Sequence, residues 1–215
     1  MTWPQSLGKT VTSQTIDIDW NSLLACLAAL VTSAADLQSY WKERYHWTTA
    51  QLSLVDNTGT KAAASKLCAA TDRRIYKLQC GWLPVNSRES RIDPDWLPGC
   101  SACSMMGLVT ETVDHIFQCR AASWIQAIKE IFSRFHDKFR EMKTSKLLIL
   151  ALHTGATAWV EGMETPDIAS LALPDSTLGR LIAQAYTDQA LLGWNLLCWG
   201  FWATSWRLGQ EEQFR

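Results

Sequence analysis

The sequence lacks the patterns that most often give a chain of this size a chemical task. It has no G-x-S-x-G elbow, no P-loop and no dinucleotide fingerprint. His46, His136 and His153 have no partner at ligand or triad spacing, so each reads as a surface or packing residue. Long apolar runs are missing too. The stretch Leu23 to Val31 is far shorter than the roughly 20 residues a membrane span requires. No basic segment precedes a cleavable apolar core at the start, so secretion is not expected. Seven cysteines, an odd number, speak against a disulfide framework. Charge is sparse at 19%, with a net value of −1, against 47% hydrophobic residues. That balance excludes a disordered tail and describes a globular chain; with neither a signal nor a span in view, an intracellular place, nuclear or cytoplasmic, and no membrane partner are expected. At 215 residues it suits one large domain or two small ones.

What is present concentrates near the middle. Cys100 and Cys103 stand two residues apart, followed by His115 and Cys119, in the pattern C-x2-C-x11-H-x3-C. Three thiolates and one imidazole are a complete tetrahedral donor set for Zn²⁺. A CxxC turn can direct both sulfurs at one point, and residues four apart share a helix face. Unrelated buried cysteines would be scattered, as Cys26, Cys68, Cys80 and Cys198 are; they would not show this pairing. A thioredoxin-like redox pair belongs in a βαβ context, whereas Pro98-Gly99 precedes this pair and Ser104-Met-Met-Gly107 follows it. One structural zinc is the expected cofactor. With four protein ligands no coordination position is left for a reacting water.

Several zinc modules share similar spacing. A base-reading ββα finger places two histidines at its end, and here Ser104 to Asp114 contains no Lys or Arg but carries Glu111 and Asp114. Acids at that point repel phosphate. The retroviral knuckle is much tighter between its second and third ligands. The segments on both sides fit better: Lys77-Leu-Gln-Cys-Gly-Trp-Leu-Pro-Val-Asn86 before the pair, and Glu111-Thr-Val-Asp-His115-Ile-Phe-Gln-Cys119 closing the site. Together they resemble the zinc-binding domain downstream of the polymerase in LINE-type retrotransposon reverse transcriptases. That family shows a GWLPxN segment, a CPxC-like pair, an acid shortly before the histidine, a hydrophobic pair and the last cysteine. Ser101 stands where the family usually has proline, which touches no ligand. The resemblance covers roughly residues 77 to 124, ending at Trp124, a position where the family often has Trp. A weaker likeness to the helical extension of some element-derived proteins runs through Ala183-Gln184, Gly193-Trp194, Trp206 and Gln210.

The resemblance implies Cys100, Cys103, His115 and Cys119 as ligands, and RNA or target DNA as partner, beside a reverse transcriptase acting in cis or in trans. It does not bring polymerase activity. Two-metal phosphoryl transfer needs clustered carboxylates, and the chain contains no Asp-Asp dipeptide. No enzymatic role and no small-molecule substrate are expected. The reading is a detached C-terminal piece of such a protein; the other readings are a zinc-stabilised protein-interaction module that docks through its Trp-rich helix, and a decayed element remnant.

The fold expected is mainly α, a helical domain organised around one zinc knuckle, with at most a small hairpin at the zinc turn. Four regions follow: a loose segment 1–15, a helical region 16–80, a zinc module with its ligand helix 81–143, and a helical, Trp-rich region 144–215. Asp19 is placed to cap a helix running to about Tyr45, with Leu23, Leu24, Leu27, Leu30, Val31, Ala34 and Leu37 at helical spacing. Asn57-Thr-Gly59 reads as a break before a helix over Lys61 to Gln79. Pro84 to Gly99 reads as an extended connector. Thr112 or Asp114 begins a ligand helix continuing through Phe135, and Thr144 to His153 forms a short helix. Gly155 to Pro174 is loop-rich, and Ser176 to Gln210 is expected to be the last and longest helix.

Charge and aromatic residues divide along the chain. Asp72 to Arg91 carries a net +3 through Arg73, Arg74, Lys77, Arg88 and Arg91. Arg120 to Lys146 carries +4, with Arg120 and Lys129 nearest the ligands. Those two stretches flank the zinc pattern, so they are the candidate phosphate-contacting surface, set against an ordinary solvated face. Residues 147 to 215 carry a net −4, a poor groove for nucleic acid. Trp199, Trp202 and Trp206 follow i, i+3, i+7 spacing, which reads as core in preference to base-stacking platforms.

Overall fold

The computed structural model describes residues 34–64, 66, 77–80, 85–93, 95–103 and 109–215. Within them the chain is mainly helical and contains no sheet. It forms two compact units, Met1–Leu52 and Ser53–Arg215. The first holds α1 (Ala34–Tyr45), the end of the helix expected from Asp19; the start of that helix and the segment 1–15 lie outside the described residues. Trp41 and Trp47 are buried, their rings 6.4 Å apart. Thr48 and Gln51 form a reciprocal capping box, each side-chain oxygen accepting the other's amide, and so start α2 (Thr49–Leu54).

In the second unit the break expected at Asn57-Thr-Gly59 falls earlier, at Val55–Asp56. Asp56 accepts the Gly59 amide at 2.9 Å, and α3 (Asn57–Ala64) begins at once. Of the helix expected over Lys61 to Gln79, only its two ends are described; 77–79 are helical. The extended connector is interrupted by α4 (Asn86–Ile92), whose seven residues contain no proline. Prolines 84 and 94 border this stretch without entering it.

The single ligand helix is two: α5 (Val113–Gln118) and α6 (Ala122–Glu141). Cys119 and Ala121 are extended, with ψ of 128° and 134°, which turns the chain out of the helix. The expected short helix runs on to Val160 as α7 (Lys146–Val160), past the predicted loop start at Gly155. That glycine is required there: a Cβ would lie 2.1 Å from the Trp194 ring. A 3-10 turn (Ile168–Leu171) interrupts the loop that follows.

The predicted longest helix is broken into α8 (Thr177–Leu192), α9 (Trp194–Cys198) and α10 (Thr204–Glu212); α6, with 20 residues, is the longest described. Gly193 (φ 113°) and Gly200 (φ 88°) adopt backbone angles open to glycine, and the chain folds back so that α10 packs on α8. One side chain holds this reversal. Gln189, fully buried, donates to the Gly193 and Phe201 carbonyls, each at 3.2 Å. It accepts from the Ala203 amide at 3.0 Å and the Trp206 indole at 3.3 Å. Of the core stripe expected from Trp199, Trp202 and Trp206, only Trp206 is buried; Trp199 and Trp202 are half-buried because they fall at and after the end of α9, off any continuous helix, and Trp194 takes the core place beside Trp206. No described helix is long and apolar enough to cross a membrane.

Candidate metal centre

Cys100, Cys103, His115 and Cys119 converge. Their ligand atoms all lie within 4.8 Å of one another, so the group can hold a metal ion. Three local devices bring them together. Gly99 and Thr110 form an antiparallel bridge, with the Cys100 amide donating to the Val109 carbonyl at 2.8 Å and the Glu111 amide to the Pro98 carbonyl at 2.8 Å. This single bridge is the strand pairing that the described residues show at the turn, within the expectation of at most a small hairpin. Thr112 caps α5, its hydroxyl accepting the His115 amide at 3.0 Å, which fixes the histidine in the first turn. Cys119 then leaves the helix and points its sulfur back to the same place, so the shared-face argument is replaced by a helix end.

The distances fit the donor set. Metal–sulfur bonds near 2.3 Å in a tetrahedron put sulfurs about 3.8 Å apart and sulfur and nitrogen about 3.5 Å apart. Cys100 and Cys119 sulfurs are separated by 3.9 Å, and Cys103 Sγ lies 3.5 Å from His115 Nε2. Cys103 and Cys119 are closer, at 3.1 Å, and part by about 0.7 Å to reach the tetrahedral edge. Cys100 and Cys119 are buried, whereas Cys103 and His115 are half-buried. The hydrogen bond with Cys119 holds the Cys103 thiol below its ordinary pKa, helped by Cys100 and the Arg120 and Ala121 amides. Burial pushes the Cys119 thiol up to about 12. A cation among these sulfurs reverses that cost, since it favours the thiolate directly.

Asn86 and Glu111, which the donor pattern does not include, brace the turn. Asn86 donates its side-chain amide to the Gly99 carbonyl at 2.7 Å and accepts the Trp96 indole at 3.0 Å. Glu111 accepts the Asn86 amide at 3.1 Å. A buried-capable amide ending the Gly-Trp-Leu-Pro-Val-Asn86 run was the only available signal, because its partners lie 10 to 25 residues away. On the other side, Gln118 donates to the Trp159 carbonyl at 2.8 Å and Arg120 to the Glu161 carbonyl, docking the ligand helix onto the end of α7. Burial raises the pKa of Asp114, against the opposing hydrogen bonds of Asn195 and Trp199.

Of the candidate phosphate-contacting residues, Lys77, Arg91, Arg120 and Lys129 are exposed and Arg88 is half-buried. Arg73 and Arg74 lie outside the described residues. Compared with protein-family models, with curated proteins and with solved structures, the chain matches none.

Proposed function

We propose that the chain is a non-catalytic, zinc-stabilised helical module that holds RNA or target DNA for a retroelement polymerase. The convergence of Cys100, Cys103, His115 and Cys119 within 4.8 Å carries this reading. Three sulfurs and one imidazole match zinc better than harder ions, and a closed set of four suits structure over reaction. The likeness of residues 77 to 124 to the zinc-binding domain of LINE-type reverse transcriptases supplies the nucleic-acid role. Exposed bases before and after the centre, Lys77, Arg91 and Lys129 among them, support it.

The test pairs metal content with binding. Native protein is expected to carry one zinc per chain and to bind RNA or DNA in a filter assay, with affinity falling as salt rises. Affinity blind to ionic strength removes phosphate contacts; a chain without metal removes the zinc centre. A second reading, a protein-interaction module, is favoured by α6, which exposes Ile131, Phe135 and the following Met142 at helical spacing. Buried Trp194 and Trp206 are unsuited to that docking. Concentration-dependent self-association unaffected by nucleic acid favours this second reading.

A further inference from the structure

We infer that one exposed face of α6 is a docking strip for unpaired nucleic acid, with Phe135 stacking on a base and Arg134, Lys138 and Lys143 taking phosphates. The inference rests on the nucleic-acid reading above and deepens it by naming the kind of strand and the face that takes it. Ile131, Arg134, Phe135 and Lys138 stand at i, i+3, i+4 and i+7, so they share one side of the helix, and Met142 continues it one turn on. All five are exposed, the apolar three at 44%, 51% and 53%. Their apolar neighbours on α6 are already committed to the protein: Ile128 is buried, Phe132 meets His153 edge-on, and Phe139 meets Trp202 in the same way. Phe139 in turn stands 6.3 Å from Phe135, which backs that ring and leaves half of it open.

Charge selects the occupant. Arg134, Lys143 and Lys146 make no ion pair among the described residues. Lys138 is held by Glu141 at 2.8 Å, but both are exposed, and such a pair is worth little in water. The acids Glu130, Asp137 and Glu141 lie roughly a third of a turn round from the strip. A second copy seated here by a two-fold axis brings the bases of both chains against each other. A polyanion neutralises them instead. Phosphates alone leave Ile131, Phe135 and Met142 unused, and a duplex hides the faces of its bases inside the stack. An unpaired strand offers phosphates to the cations and open base faces to the ring.

The experiment uses the full, zinc-loaded chain and fluorescence anisotropy with labelled oligo(dT), oligo(U) and a duplex of the same length. The chain is expected to bind single strands more tightly than the duplex, and the tighter of the two single strands tells RNA from DNA as the source. Phe135→Leu keeps an apolar side chain but removes the ring, and should weaken single-strand binding by about tenfold; Phe135→Trp should retain it. Arg134→Gln with Lys138→Gln should lower the slope of log affinity against log salt by about 1.4, from two phosphate contacts at about 0.7 each. Zinc content and helical circular dichroism stay at the native level in all three variants, because the residues are exposed and outside the donor set. Salt-dependent single-strand binding that ignores all three variants overturns the inference and leaves the nucleic-acid reading standing. So does a preference for the duplex. Binding to no oligonucleotide overturns both. Self-association that Phe135→Leu abolishes, or binding to phosphatidylserine vesicles in place of oligonucleotide, gives the strip to another partner and overturns the inference as well.

Discussion

Two stretches of the second unit leave the helix and must be held against it, and they are held by different chemistry. Between Gly99 and Cys119 the described residues form a β-bridge and a six-residue helix, and Val113 is the one buried residue of α5. Its closure depends on four ligands meeting at one point. Between Gly193 and Ala203 the chain reverses around Gln189, whose amide is satisfied on both sides, within a shell of Trp194, Phe201 and Trp206. On the proposed reading the first stretch is conditional on a metal ion, and the second only on packing. A fold can therefore lose one and keep the other.

The sharpest way to break that contrast is to remove the metal. Structural zinc contributes an apparent 10–16 kcal/mol, roughly, in small modules that have little core. Cys100→Ser with Cys119→Ser is expected to be metal-free, with the amides of 99–103 and 109–121 losing their hydrogen-exchange protection. Amides of α8 and α10 should keep theirs. Simultaneous loss in both stretches would show that the two are one cooperative unit. Acid acts in the same direction, because His115 and the thiols must shed protons to bind the ion.

Gln189→Ala attacks the other stretch. It strands the Ala203 amide, the Trp206 indole and the Phe201 carbonyl inside the core and leaves a cavity, while the Gly193 carbonyl keeps the Leu196 amide. Each buried group left without a partner costs about 1–3 kcal/mol, so a loss of about 4 kcal/mol is expected in urea unfolding. Zinc content should not change. If the variant loses zinc as readily as stability, the separation drawn above is wrong.

The same contrast explains what could be read from the sequence. The centre was legible because its donors sit on short, fixed spacings and have few chemical alternatives. Helical class was legible from periodicity. What escaped were decisions made by distant partners. Nothing in Ser176 to Gln210 marks a double reversal until Gln189 meets Phe201 and Ala203, and Gly193 and Gly200 alone are weak signals. Gly155 looked like a loop residue because Trp194, which needs its bare backbone, lies almost forty positions on. The kink at Cys119 escaped for a similar reason: it is set by the docking of Gln118 and Arg120 on α7, which no local pattern encodes.

A smaller perturbation sharpens the picture of the packed side. Gly155→Ala costs nothing in helix propensity, and even gains. It places a methyl 2.1 Å from a ring atom of Trp194 that is itself wedged against Tyr186 and Trp206. Overpacking of this kind costs about 1–3 kcal/mol, against about 1 kcal/mol gained from propensity. Net destabilisation of up to about 2 kcal/mol by thermal unfolding, with near-ultraviolet tryptophan signals displaced, is the expected outcome; a neutral result with unchanged signals would mean that the ring has room to move.

The smallest effect is a pH dependence that belongs to the packed side alone. Cys198 closes α9, and burial, with the charge of Asp114, pushes its thiol up to about 12. A thiol in the unfolded chain titrates near 8.5. Between these values the unfolded state binds fewer protons than the folded one, so stability falls as pH rises. The contribution is fully present below about pH 8.5 and is spent only as pH passes the folded value. Each unit is worth about 1.4 kcal/mol, so by pH 9.5 this thiol alone removes about that much. Tyr186, buried and near Asp167, is raised too and adds to the fall at higher pH. Subtracting a Cys198→Ala curve isolates the thiol: the wild type should lose stability faster between pH 8.5 and 10. Parallel curves would mean that Cys198 reaches solvent and that α9 opens far below the global unfolding transition.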